Sequence, residues 1–225
     1  LNRHGVEVVV PKKINCCGSL NHHLGKENSA HKEFKNNILH WYDEYSKDGL
    51  DAIISNTSGC GTTIKDYGFI FRGDASLEKK AKKISELTKD ISEYLGDNLK
   101  LNFKDNSKVY KIAYHSACSM QHGQKIHSKP MDLLKKTGNK ILEIPDGHLC
   151  CGSAGTYNML QAEIADKLLN EKVMNIEKIK PDIISTGNIG CITQIANGTN
   201  IPILHTIEIL DWYTGGPKPK ILSEL

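Results

Sequence analysis

Residues 182–193, DIISTGNIGCIT, run the β-branched pair Ile183-Ile184 through Gly187 and Asn188 into a cysteine, Cys191. Residues 51–63, DAIISNTSGCGTT, repeat that order and end on Cys60. Short β-rich runs of this kind alternate with longer amphipathic segments, which is the pattern of βα units on a parallel sheet, so the expected fold class is α/β. Strands are expected at Val6–Val10, Asp51–Asn56, Lys111–His115, Lys140–Ile144, Asp182–Thr186 and Ile201–His205. Several are apolar throughout, as strands covered on both faces should be. Between them Phe34, Ile38, Trp41, Tyr42 and Tyr45 recur at helical spacing, and Leu77, Ala81, Ile84, Leu87, Ile91 and Tyr94 do so again, and both sets read as core.

The segment Gly96–Lys108 loses periodicity and gains Asn, Asp and Lys, which places a domain boundary there. The expected organisation is a first domain over 1–100, a second over 109–214 and an irregular tail over 215–225, where Gly-Gly-Pro stops the preceding helix. The two domains are copies. CCGSLNHHLG leads through a helix and a strand to SNTSGCGTT, and CCGSAGTYNML leads in the same order to STGNIGCIT. Between each Cys-Cys-Gly triplet and its lone cysteine lie 41 residues in the first copy and 38 in the second. The second copy adds Cys118, with 31 residues between it and Cys150. Asn2-Arg3-His4-Gly5 reads as the end of a helix, so the first copy is expected to be truncated at its amino terminus, with the counterpart of Cys118 upstream of Leu1.

Composition excludes several classes. A hydrophobic content of 39% with 24% charged residues is ordinary for a globular chain and excludes a disordered one. No apolar run approaches the ~20 residues of a membrane-spanning helix. A net charge of +3 with scattered lysines gives no basis for nucleic-acid binding. Seven cysteines without a signal-peptide pattern fit a reducing compartment rather than a secreted disulfide framework. No glycine-rich phosphate loop or nucleophile elbow occurs.

All seven cysteines fall in the repeated phrases. Adjacent cysteines are poor disulfide partners, since neighbouring Cα atoms are ~3.8 Å apart and a relaxed bridge wants at least ~4.4 Å. They can, however, offer two thiolates to one metal. Cys118, Cys150, Cys151 and Cys191 each follow a strand, and in an open parallel sheet the carboxyl ends share one edge, where ligands bind. Two unit charges ~4 Å apart repel by about 4 kcal/mol at an effective dielectric near 20, so four free thiolates would stay largely protonated without a metal. Iron-sulfur and zinc both accept tetrahedral thiolates. Short Cys-x-x-Cys zinc knuckles are lacking, and widely separated loops favour the larger iron-sulfur centre. His115, His122 and His148 in the second copy, and His22 and His23 in the first, could tune such a centre or replace a ligand, but read as structural residues capping loops.

The phrases NCCGSLNHHLG, SNTSGCGTTIKDYG, YHSACSMQHGQK, PDGHLCCGSAGTYNML and TGNIGCITQIA resemble the CCG, or cysteine-rich, domain family found in heterodisulfide reductase. Within that family they resemble the carboxyl-terminal part of the iron-sulfur subunit of glycolate oxidase. The resemblance implies two tandem Rossmann-like CCG domains with mainly parallel sheets. It implies an electron-transfer subunit, cytoplasmic or at the inner face of the membrane through its complex, that takes electrons from an FAD flavoprotein partner oxidising a 2-hydroxy acid and passes them towards the respiratory chain. By resemblance Cys118, Cys150, Cys151 and Cys191 ligate one cluster, and Cys16, Cys17 and Cys60 belong to another. Heterodisulfide reductase places a Cys-x-x-Cys pair at the last cysteine. This chain has Cys191-Ile192-Thr193-Gln194 and Cys60-Gly61-Thr62-Thr63, which implies a four-cysteine 4Fe-4S site in place of that enzyme's noncubane clusters. Ferredoxin-type cysteine runs of the glycolate oxidase relatives do not occur. Related subunits of lactate oxidation, glycerol-3-phosphate dehydrogenase or heterodisulfide reductase, a structural zinc domain and a thiol-disulfide catalyst are the alternative readings.

Overall fold

Residues 1–105 and 108–223 are described in a computed structural model of the chain, which divides into two compact units, Leu1–Tyr94 and the residues from Leu95 onward. The first unit contains α1 (Ser19–His23), α2 (Glu27–Asp48), β1 (Ile53–Ser55), α3 (Ser58–Lys65), α4 (Tyr67–Ile70), α5 (Glu78–Leu87), β2 (Thr88–Asp90) and the start of α6 (Ile91–Asn98). β1 and β2 pair in parallel, with Ile53 opposite Thr88. Of the expected stripe of α2, Phe34 and Ile38 are fully buried, together with Ala30, Tyr67, Ala81 and Ile84, whereas Trp41, Tyr42 and Tyr45 are half-buried at the edge of this core. The Phe34 ring lies 4.8 Å from that of Tyr67 and meets Phe71 edge-on at 6.4 Å.

Two elements depart from the expectation. Val6–Val10 is not a strand: none of the described residues pairs with it, and Val8, Val9 and Val10 are exposed. A β-branched run forms a strand only where a neighbour satisfies its backbone groups. The helical spacing from Leu77 to Tyr94 is interrupted by β2. There Ser92 donates both its backbone N–H (2.8 Å) and its hydroxyl (2.5 Å) to the Asp90 carboxylate. The Asp90 N–H in turn donates to the Glu93 carboxylate at 2.8 Å. Asp90 thus caps the Ser92 N–H while Glu93 reaches back to the Asp90 N–H, and these bonds restart the helix after a strand that begins with the β-branched Thr88.

In the second unit β3 (Lys111–Tyr114), β4 (Lys140–Glu143), β5 (Ile183–Thr186) and β6 (Ile203–His205) form one parallel sheet in the order β4-β3-β5-β6. The helices are α7 (Lys129–Lys135), α8 (Tyr157–Leu160), α9 (Ala162–Lys178), α10 (Ile189–Ala196) and α11 (Thr206–Tyr213), with a π-helical turn at Ser119–Gly123. The chain leaves β3 to one side and returns to the other, so the crevice between the carboxyl ends of β3 and β5 is a topological switch point, where open α/β sheets bind ligands. Ala113, Ile144, Leu169, Val173, Ile176, Ile184 and Ile195 form the core, and Cys151 and Cys191 are part of the same cluster. Of the expected boundary segment, residues 106–107 lie outside the described residues, as do residues 224–225 of the tail. The tail's Leu222 is buried in a 3-10 turn at Lys220–Leu222.

Phe34→Ala removes the aromatic centre of the first unit's core and should cost about 3–5 kcal/mol. Urea unfolding monitored by circular dichroism would measure this, and a loss below about 1 kcal/mol would contradict the described packing.

Candidate metal centre

The carboxyl ends of three strands deliver the second unit's cysteines to one place. Cys118 is the N-cap of the π-helical turn after β3, Cys150 and Cys151 lie in the loop between β4 and α8, and Cys191 is the third residue of α10 after β5. Their sulfurs form a string in which Cys118 hydrogen-bonds Cys150, Cys150 reaches Cys151, and Cys151 reaches Cys191. Cys151 and Cys191 are buried, while Cys118 and Cys150 are half-buried. The Gly152 N–H donates to the Cys150 sulfur at 3.3 Å, and the Asn188 amide donates to the Cys191 sulfur at 3.4 Å.

Proton sharing along the string drives the thiols apart. Cys150 is held well below the ordinary thiol range, first by the hydrogen bond from Cys118 and then by that from Cys151. Cys191 is lowered first by the Cys151 hydrogen bond and, after the opposing effect of burial, by His115. Cys118 and Cys151 are raised as the donors of these bonds and by burial. The donor set fits a thiolate-ligated centre: the Cys151 and Cys191 sulfurs lie with a His115 nitrogen within 4.8 Å of one another, Cys150 and Cys118 continue the string, and N–H groups are directed at the Cys150 and Cys191 sulfurs.

The first unit repeats this construction with three cysteines. The Cys17 thiol donates to the Cys60 sulfur at 2.9 Å, which raises Cys17 and lowers Cys60, and Cys16 is exposed. The shared Cys-Cys-Gly-Ser phrase has a steric reason in both units. Gly18 and Gly152 adopt φ of +77° and +92°, where a side chain is strained. A Cβ on Gly18 would stand 2.4 Å from the Phe34 ring, and one on Gly152 would stand 2.4 Å from the Ala165 carbonyl oxygen. The following serine then meets the helix bearing the lone cysteine: Thr63 of α3 donates to Ser19 at 2.9 Å, and a Cβ on Gly190 of α10 would lie 2.8 Å from the Ser153 hydroxyl. In each unit the lone cysteine is the third residue of its helix, after N-cap Thr57 or Asn188.

Several supporting residues carry no motif in the sequence. Asn37 is fully buried in α2, accepts the Asn15 N–H at 2.8 Å and donates to the Cys16 carbonyl at 2.9 Å, while the Tyr67 hydroxyl donates to the Cys17 carbonyl at 2.8 Å. Lys172 of α9 is 1% exposed and donates to the Asp146 carbonyl at 3.1 Å. Burial lowers its pKa, and Cys151, Cys118 and Cys150 oppose that lowering. A signal for Lys172 was nonetheless present: it interrupts the apolar stripe Ala165, Leu169, Val173 and Ile176, where a charge has no reason to sit unless it has a partner. Of the histidines, His122, His148 and His23 are exposed or half-exposed and His22 is half-buried against Phe34, whereas His115 is 1% exposed beside the Cys191 sulfur.

The cysteine-rich domain family CCG matches residues 1–65 and 112–196. The glycolate oxidase iron-sulfur subunit of Escherichia coli is 35% identical over 213 residues, covering 94% of this chain and 51% of that protein. Lactate utilization protein A of a Geobacillus species is 26% identical over 217 residues, covering 94% of this chain and 89% of that protein. The probable glycolate oxidase iron-sulfur subunit of Bacillus subtilis is 28% identical over 199 residues, covering 86% of this chain and 43% of that protein. The chain thus spans about half the length of the glycolate oxidase relatives it matches.

Gly152→Ala forces a left-handed alanine against the α9 backbone. It should cost at least ~1 kcal/mol of stability and displace Cys151, which thermal unfolding and metal content per chain would register together.

Proposed function

This chain belongs to the CCG family of cysteine-rich domains, and on that premise we propose that it is an iron-sulfur electron-transfer subunit of a complex that oxidises a 2-hydroxy acid. The observation that carries the reading is the string of four cysteine sulfurs at the β3–β5 switch point, met by amide donors and flanked by a buried lysine. The names of the glycolate and lactate relatives support it. In this reading Cys118, Cys150, Cys151 and Cys191 hold one 4Fe-4S cluster, and Cys16, Cys17 and Cys60 contribute to a second. The first CCG domain occupies 1–100 and the second 109–214.

A bound cluster supplies reversible one-electron transfer, while two-electron chemistry on the hydroxy acid belongs to an FAD flavoprotein partner. The chain's own residues bind and tune. The Gly152 N–H and Asn188 amide stabilise anionic sulfur, Lys172 offsets negative charge from the core side, and the packing around Cys151 and Cys191 excludes water. Electrons then pass to an acceptor in the respiratory chain. Among the described residues no helix is long and apolar enough to cross a membrane, so contact with the inner membrane face is assigned to the complex.

Protein purified without oxygen should contain iron and acid-labile sulfide, and zinc with no labile sulfide would sink the reading in favour of a structural zinc domain. Cys150→Ser should lose the second unit's iron while keeping its far-ultraviolet circular dichroism, and unchanged iron would refute the ligand assignment. Because the Cys118 and Cys151 thiols are held above the ordinary range, metal loading must displace their protons. Metal retention should therefore weaken as pH falls, which competition with a chelator at stepped pH would measure.

A further inference from the structure

His115 follows β3 directly, and its backbone N–H donates to the Ser185 carbonyl of β5 at 2.8 Å. The ladder at the switch point thus fixes where its side chain begins. The residue is 1% exposed, and neither ring nitrogen has a nitrogen or oxygen partner among the described residues; the polar group the ring faces is the Cys191 sulfur. An imidazole carries one donor and one acceptor when neutral, and nearly all buried polar groups find partners. A histidine so placed is a poor candidate for a loop cap. Its ligating nitrogen and the sulfurs of Cys151 and Cys191 all lie within 4.8 Å of one another. No second thiolate is offered nearby on α10: Gln194, three residues after Cys191, is buried with its carbonyl oxygen accepting from Asn158 at 2.9 Å.

We propose that His115 supplies a nitrogen ligand to the metal centre gathered by Cys118, Cys150, Cys151 and Cys191, at its Cys151–Cys191 end. The inference rests on reading those cysteines as a metal centre and changes its ligand set: a four-iron cluster takes one terminal ligand per iron, so His115 stands in the place of Cys118, the half-buried thiol at the far end of the string. A neutral imidazole bound where a thiolate would otherwise bind leaves the centre less negative and easier to reduce, so its potential is higher than that of an all-thiolate set.

The test uses the full chain loaded anaerobically with iron and sulfide and then reduced by one electron with dithionite, since the oxidised four-iron cluster has no net spin, once with ordinary histidine and once with nitrogen-15 histidine. Pulsed electron paramagnetic resonance should show a nitrogen coupled to the iron spin that changes with the label, and should lose it in His115→Leu. Absence of any histidine coupling in the loaded wild type overturns the proposal, and that measurement does not depend on the variant folding. His115→Cys, which keeps a donor, should retain iron at a lower reduction potential, and an unchanged potential counts against ligation. If the chain holds zinc alone, the electron-transfer reading fails while this one is still decided. X-ray absorption would show a light-atom ligand that depends on His115 if it is right, or an all-sulfur shell if it is wrong. A chain that takes up neither iron nor zinc overturns both.

Discussion

The backbone of Gly152 runs so close to α9 that there is no room for a side chain between it and the Ala165 carbonyl. That approach, made possible by a positive φ, is the constraint on which the second unit's site depends. It turns the chain sharply between two adjacent cysteines and the helix that covers the sheet, sending Cys151 into the core while Cys150 stays half-buried. The serine that follows then packs against α10 at Gly190, which brings Cys191 to Cys151. In the first unit Gly18 plays the same part against Phe34, and Ser19 against Thr63. The Cys-Cys-Gly-Ser phrase is therefore a packing motif as much as a ligand motif.

Gathering four sulfurs, two of them buried, creates an electrostatic difficulty that the surroundings answer in part. Without metal, protons are shared along the string, so that Cys150 and Cys191 gain anionic character at the expense of Cys118 and Cys151. The Gly152 N–H, the Asn188 amide and the buried Lys172 all favour negative charge at this edge. A lysine in the core is costly unless an anion sits near it, since burial disfavours the charged form. On the apolar stripe of α9 Lys172 keeps a hydrogen bond to the Asp146 carbonyl, and Cys151, Cys118 and Cys150 oppose the lowering of its pKa by burial.

Much of the frame was legible from residue pattern. The strands from Ile53 onward, apart from β2, lie within a residue or two of their expected bounds, because β-branched runs with no polar alternation have few alternatives to a doubly covered parallel sheet. Val6–Val10 has the same local character yet stays unpaired, since pairing is a property of the neighbour and not of the run. β2 was hidden for the opposite reason. Its three residues sit inside a helical periodicity that continues on both sides, and the bonds that tie Asp90 to Ser92 and Glu93 mark the break.

By itself the sequence determined the α/β class, the duplication and the placing of all seven cysteines in the repeated phrases, because periodicity, spacing and residue type are local properties. Only the tertiary structure decided which neighbours those sulfurs would have. His115 looked like one of several histidines near cysteines, and the β3–β5 register separates it from the more exposed His122 and His148 by burying it beside Cys151 and Cys191. Lys172 gained its partner, the Asp146 carbonyl, only when α9 docked on the loop that leads to Cys150 and Cys151. Both depend on contacts between residues distant in the chain, whose partners are set by how the layers pack and cannot be read from the residues on either side.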